Sequence, residues 1–212
     1  MVEKGMNPDA VRTRARTRAT IRAVGEEDLG AARALLHAAF RTDEVSRWIF
    51  PEEDRREALH PVLFGTFLAG AHAHGTAELT GDGTGVALWF DVRDGAQHGG
   101  EELGAALDEV DPGNERLRAM GELTEQCHPH EDHAYLQAVA VAPDRQSQGI
   151  GGALLRHRLA VCDREGLPAY LEASSERSRA LYERHGFAVR GEGIHLPFGG
   201  PVMWPMWREP CG

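Results

Sequence analysis

The chain has 212 residues, 42% of them hydrophobic and 26% charged, enough apolar material to bury a core and too much for a disordered tail. It sets 23 Lys and Arg against 33 Asp and Glu, a formal charge of −10, and such a field argues against nucleic acid as a partner while suiting an amine substrate. No run approaches the roughly 18 apolar residues of a membrane helix, Met1-Val2-Glu3-Lys4-Gly5 lacks the apolar middle of a signal peptide, and Cys127, Cys162 and Cys211 are too scattered for a disulfide frame. A soluble cytoplasmic protein without membrane attachment is expected.

Residues 1–19 hold Lys4, Arg12, Arg14, Arg16 and Arg18 among few apolar side chains and read as a flexible basic leader before a single domain over 20–212. Thr20-Ile21-Arg22-Ala23-Val24 alternates like a half-buried strand. Glu26, Glu27 and Asp28 then open a helix to about Phe40, with Leu29, Ala32, Leu35, Leu36 and Phe40 on one face. A second helical stretch, about Glu52 to His74, is expected to break near Pro61 and Gly65. Gly81-Asp82-Gly83-Thr84-Gly85 joins a hairpin of Thr76–Thr80 with Val86–Phe90, residues 92–100 form a loop, and Glu101 to Cys127 reads as helices broken at Pro112-Gly113. Trp48, Phe50, Trp89 and Phe90 suit the core, with an aromatic acceptor pocket as the alternative.

Cys127-His128-Pro129-His130-Glu131-Asp132-His133 crowds imidazoles and carboxylates. Without a second ligand cluster it reads as an irregular loop, and no metal is expected. A histidine titrating near neutrality there is a candidate proton relay.

Tyr135-Leu136-Gln137-Ala138-Val139-Ala140-Val141-Ala142 is nearly apolar on both faces, as a covered central strand is, and Pro143 stops it. Gln137 is its lone polar side chain and needs a partner, from the backbone or from substrate. Gln146-Ser147-Gln148-Gly149-Ile150-Gly151-Gly152 follows and leads into an amphipathic helix with Leu155, Leu159 and Cys162 in one stripe. Strand, glycine-rich turn and helix N-terminus together make an anion site, although glycines there also serve simply to shape a tight loop. Gly166 ends the helix. Pro168 to Ala173 is a short strand, Ser175 caps a helix from Glu176 to His185, and Gly186 with Phe187 stops it. Ser178 and Tyr182 lie one turn apart on that helix, where a core tyrosine is the plain reading of Tyr182.

Gln146-x-x-Gly149-x-Gly151 after Val139-Ala140-Val141-Ala142-Pro143, followed by Ala180-Leu181-Tyr182-Glu183-Arg184-His185-Gly186-Phe187, resembles the GNAT family of acetyl-CoA-dependent N-acetyltransferases. Pro168-Ala169-Tyr170-Leu171-Glu172-Ala173-Ser174 and Ala87-Leu88-Trp89 resemble the puromycin-acetylating bacterial members in particular. The likeness runs roughly from Thr20 to Trp207 and is loose over Asp91 to Pro129. It implies an α+β fold, a twisted, mixed and mostly antiparallel sheet flanked by helices, with the strands around Val139 and Leu171 splayed to admit acetyl-CoA. It further implies that Val139, Ala140 and Val141 bind the pantetheine arm and acetyl carbonyl, and that the amides of Ser147, Gln148, Gly149, Ile150, Gly151 and Gly152 hold the pyrophosphate. Gln146 occupies the position that opens the family motif, and the neighbouring Arg145 is a further phosphate contact.

By the same resemblance Tyr182 is the general acid that protonates the leaving thiolate. Glu172 is the first candidate for base or amine contact, with an ion pair to a neighbouring arginine as the alternative. Many relatives carry an asparagine near the start of the tyrosine helix; here Ser175 and Ser178 stand there, and Ser178 is the cofactor contact it leaves. The expected activity is transfer of acetyl to the primary amine of a small molecule, such as an aminonucleoside, another antibiotic or a metabolite, with antibiotic resistance as one use. A protein or peptide acceptor and a non-catalytic acyl-CoA-binding module are the alternatives. A homodimer is compatible with the sequence and not specified by it.

Overall fold

The computed structural model describes residues 20–212, and the expected basic leader lies outside the described residues. The sheet is assembled from β1 (Ile21–Ala23), β2 (Thr76–Thr80), β3 (Gly85–Arg93), β5 (His133–Val141), β6 (Ala169–Ala173), β9 (Val202–Arg208) and β7 (Ala188–Val189), side by side in that order. Two short strands pair at its margins, β4 (Ala96–Gln97) on β3 and β8 (Ile194–His195) on β9. Every pairing is antiparallel except β5 with β6. A parallel neighbour needs a crossover, and α6 (Ile150–Glu165) supplies it.

β3 and β5 are covered on both faces, which accounts for their nearly continuous apolar sequence. On one face Leu88, Phe90, Tyr135 and Ala138 pack with Leu36 of α1 (Leu29–Phe40) and with Leu63, Phe67 and Leu68 of α3 (Glu53–His74). On the other, Trp89, Ala134 and Leu136 meet Leu154, Leu155, Leu159 and Cys162 of α6. Leu155 is fully buried, so Leu155→Ala is expected to cost about 2–5 kcal/mol, read as a lowered urea midpoint with an unchanged slope.

One expectation needs correction. The second helical stretch does not break: α3 runs through Pro61 and Gly65 for 22 residues. Proline removes one backbone bond, but burial of Leu63, Phe64, Phe67, Leu68 and Ala71 along the same helix holds it together. A short helix, α2 (Glu44–Ile49), stands where none was expected, started by Asp43, whose Oδ2 accepts from the amides of Val45 and Ser46. Trp48, Phe50, Trp89 and Phe90 are core residues, as expected. The break at Pro112-Gly113 does occur, between α4 (Gly100–Asp108) and α5 (Glu115–Cys127).

Candidate functional site

β5 and β6 are hydrogen-bonded only at Ala134 with Ala169 and Tyr135 with Tyr170. Beyond that pair the strands part, β5 running on to Val141 and β6 to Ala173, so each presents unladdered main-chain groups to the gap. The register of β5 against β3 slips between Leu88 and Trp89, which pair with Ala138 and Leu136 and leave Gln137 as the extra residue of a bulge. Gln137 is half-buried, and its side chain finds no backbone partner among the described residues.

At the far end of β5, Ser147 and Gly149 both take left-handed backbone conformations, φ 61° and 85°, which turn consecutive amides toward the mouth of α6. Among the described residues none of the N–H groups from Gln146 to Gly152 donates to a protein acceptor. A Cβ built on Gly151 would meet Val141 Cγ2 at 3.6 Å, an ordinary contact, so internal packing does not demand glycine there. The side chains of the turn brace it: Gln146 Nε2 donates to Val141 O at 3.4 Å, Arg145 Nε to Gln148 Oε1 at 3.3 Å, and Arg177 reaches Ser147 Oγ at 3.2 Å.

Glu172 projects from β6 on the face that also carries Tyr170. The Tyr135 phenol donates to its Oε2 at 2.9 Å, while Oε1 is buried without a partner. Burial, opposed by that hydrogen bond and by the Tyr170 phenol, pushes the carboxyl up to about 7. Tyr182, on α7 (Glu176–Glu183), is buried against Phe187, and its hydroxyl has no hydrogen-bond partner among the described residues. Burial and the nearby Asp43 charge raise that phenol. Asp43 itself accepts from Ser174 Oγ at 2.8 Å, just beyond the end of β6, and burial raises its carboxyl.

The acetyltransferase (GNAT) family model matches residues 89–187, from β3 through the stop after α7. An uncharacterized N-acetyltransferase of Schizosaccharomyces pombe is 28% identical over 82% of this chain and 75% of its own length. A mycothiol acetyltransferase of Jonesia denitrificans is 33% identical over 45% of this chain and 31% of its own. A Corynebacterium glutamicum structure described as histone acetyltransferase HPA2 and related acetyltransferase superposes with a TM-score of 0.68 at 25% identity, covering 92% of this chain and 98% of that one. The chain has the fold of the GNAT acetyltransferases, and the family match runs through its central half. It is therefore an acetyl-CoA-dependent N-acetyltransferase with the family's mixed sheet.

In this acetyltransferase Val139 and Val141 are half-buried and Ala140 buried along the free edge of β5, with Ile150, Gly151 and Gly152 at the start of α6. Ser178 is committed to the cap of α7: its hydroxyl donates to Ser175 O at 2.9 Å and accepts from Ser175 N at 3.1 Å. The arginine partner considered for Glu172 does not exist among the described residues; a phenol holds it instead. Burial lowers His133 and holds His128 down at about 4, so His128 stays neutral where a relay would have to titrate. Sequence reasoning passed over Tyr135, Asp43 and Ser174. Only the parallel β5–β6 register and the unexpected α2 bring them to the site. A groove of about 650 Å³ between α1, α3 and α4, lined by Arg33, Val62, Gly65 and Leu103 among others, includes none of these groups.

Proposed function

We propose that this acetyltransferase acetylates the primary amine of a small molecule, an aminonucleoside, another amine-bearing antibiotic or a metabolite, with Glu172 as base and Tyr182 as acid. The observation that carries the reading is Glu172: a carboxyl raised to about 7, one oxygen held and the other unpartnered, beside the gap between β5 and β6. An alkylammonium must lose a proton before it can attack, and a group poised near neutrality both accepts that proton and releases it.

The residues present fit acetyl-CoA. Unpartnered amides from Ser147 to Gly152 suit a pyrophosphate, with Gln146 and Arg145 bracing their turn, and Gly151 leaves room over it. Val139, Ala140 and Val141 offer free main-chain groups to the pantetheine arm and acetyl carbonyl. Bound there, acetyl-CoA supplies the acetyl group as a thioester. Glu172 Oε1 takes the amine's proton as the N–C bond forms; as the C–S bond breaks, Tyr182 gives its proton to the sulfur. Proximity supplies much of the remaining rate.

A compact acceptor is supported by the cover over this face. Trp48 Nε1 donates to Pro197 O at 2.9 Å, Arg116 to Trp48 O at 2.9 Å and Asn114 to Ile49 O at 3.2 Å, tying α2 to α5 and to the segment before β9. The name of the Corynebacterium structure favours a histone-like peptide as the second reading. Thiol release measured over aminonucleosides, aminoglycosides, simple alkylamines and lysine peptides is expected to select a small amine. Turnover confined to peptides transfers the assignment to a protein acceptor, and acetyl-CoA binding with no turnover on any amine transfers it to a non-catalytic module. In the same assay Gly151→Leu, which places a side chain over the turn, is expected to weaken acetyl-CoA binding at least about tenfold, the loss of a few hydrogen bonds to phosphate, with little change in thermal midpoint.

A further inference from the structure

Tyr135 stands at the last hydrogen-bonded pair before β5 and β6 part, opposite Tyr170. It is 9% exposed, its ring held edge-on by His128 at 4.8 Å between centroids and flanked by Tyr170 at 6.0 Å. From that fixed point its hydroxyl reaches across to Glu172 Oε2 at 2.9 Å. Glu172 makes no ion pair among the described residues, and the hydrogen bond from this phenol is the short contact that orients its carboxyl, with Tyr170 nearby. Without it the side chain would be free to rotate about its own bonds in the gap between the strands.

We propose that Tyr135 is a positioning residue for acetyl transfer, holding one oxygen of Glu172 so that the buried, unpartnered oxygen meets the incoming amine. The inference rests on Glu172 as the base. A donor aimed at a carboxylate also favours its ionised form, so the same hydrogen bond keeps the base available at lower pH. The other titratable groups around the pair are Tyr170, whose phenol approaches Cys127 O at 3.5 Å, Glu125 and Cys127 at the end of α5, His128, Arg190, and Asp43 through Ser174. Of these, Tyr170 also acts on Glu172, its phenol lowering the carboxyl alongside Tyr135, while the short hydrogen bond at 2.9 Å is that of Tyr135.

Tyr135→Phe removes one oxygen and keeps the ring against His128 and Tyr170. The acid limb of its kcat/KM–pH profile is expected to move up by about one pH unit, with a loss of about tenfold below the limb. In a Glu172→Gln background the same substitution is expected to change kcat/KM by less than about twofold, because a residue acting through another has nothing left to act on. An unmoved limb in Tyr135→Phe overturns the proposal, as does an equal loss in both backgrounds, which would mark a packing role. Should Glu172→Gln alone retain the acid limb, the base lies elsewhere and the underlying reading fails irrespective of Tyr135.

Discussion

Tyr182→Phe is expected to lower kcat by about 10²–10⁴, the range for loss of a positioned proton donor, while acetyl-CoA affinity changes little. The phenol is buried, finds no acceptor among the described residues, and is raised by burial and by the charge of Asp43, so it keeps its proton throughout the neutral range. A group in that state donates a proton and does not abstract one. Were Tyr182 only a core ring packed on Phe187, removing the hydroxyl would leave kcat alone. Stability separates the two readings further. The hydroxyl makes no hydrogen bond to protein among the described residues, so the Phe variant, which keeps the ring on Phe187, is expected to be about as stable as the parent. Loss of turnover at retained thermal midpoint, with intact acetyl-CoA binding by calorimetry, is the expected combination; unchanged thiol release would remove Tyr182 from the chemistry.

The parts legible from sequence are those whose physics is local. Ser175 caps α7 through the amide of Ser178, and Gly186 ends that segment at φ 87°, because a hydroxyl before a helix and a glycine after it act within one turn of chain. The hairpin around Gly83, the glycine turn before α6 and the two-sided burial of β5 follow for the same reason. What stays hidden depends on residues distant in the chain. Tyr135 looks like any strand aromatic until the parallel register sets it beside β6, and Asp43 looks like a loop carboxylate until α2 folds over Ser174. Pro61 misled in the opposite direction, since a local rule for breaking helices yielded to tertiary burial of the α3 stripe. In the histidine run, His133 Nδ1 donates to Glu131 O at 2.6 Å and its ring is buried, a placement that depends on the strand it leads into.

Glu172→Gln is expected to reduce kcat/KM by about 10²-fold or more above pH 7, where the wild-type carboxylate is ionised, and to abolish the acid limb near that pH. Below about pH 6 the two proteins are expected to converge, because the wild-type group is then protonated and equally unable to accept a proton. Stability moves the other way. Burial raises the carboxyl from 4.5 to about 7, so the folded state prefers the neutral form. That preference stabilises the fold fully below about pH 4.5 and is lost as the pH rises through about 7. Glutamine carries no charge to desolvate and still offers an oxygen to the Tyr135 phenol. The variant is therefore expected to gain on the wild type by on the order of 1–3 kcal/mol between pH 4.5 and pH 8, measured as a difference in urea unfolding that grows with pH. A base kept ionisable against the preference of its own fold is destabilising wherever it is active. If the variant instead lost stability with rising pH, the carboxylate would be held by a favourable charge partner, and its assignment as the group that receives the amine's proton would have to be given up.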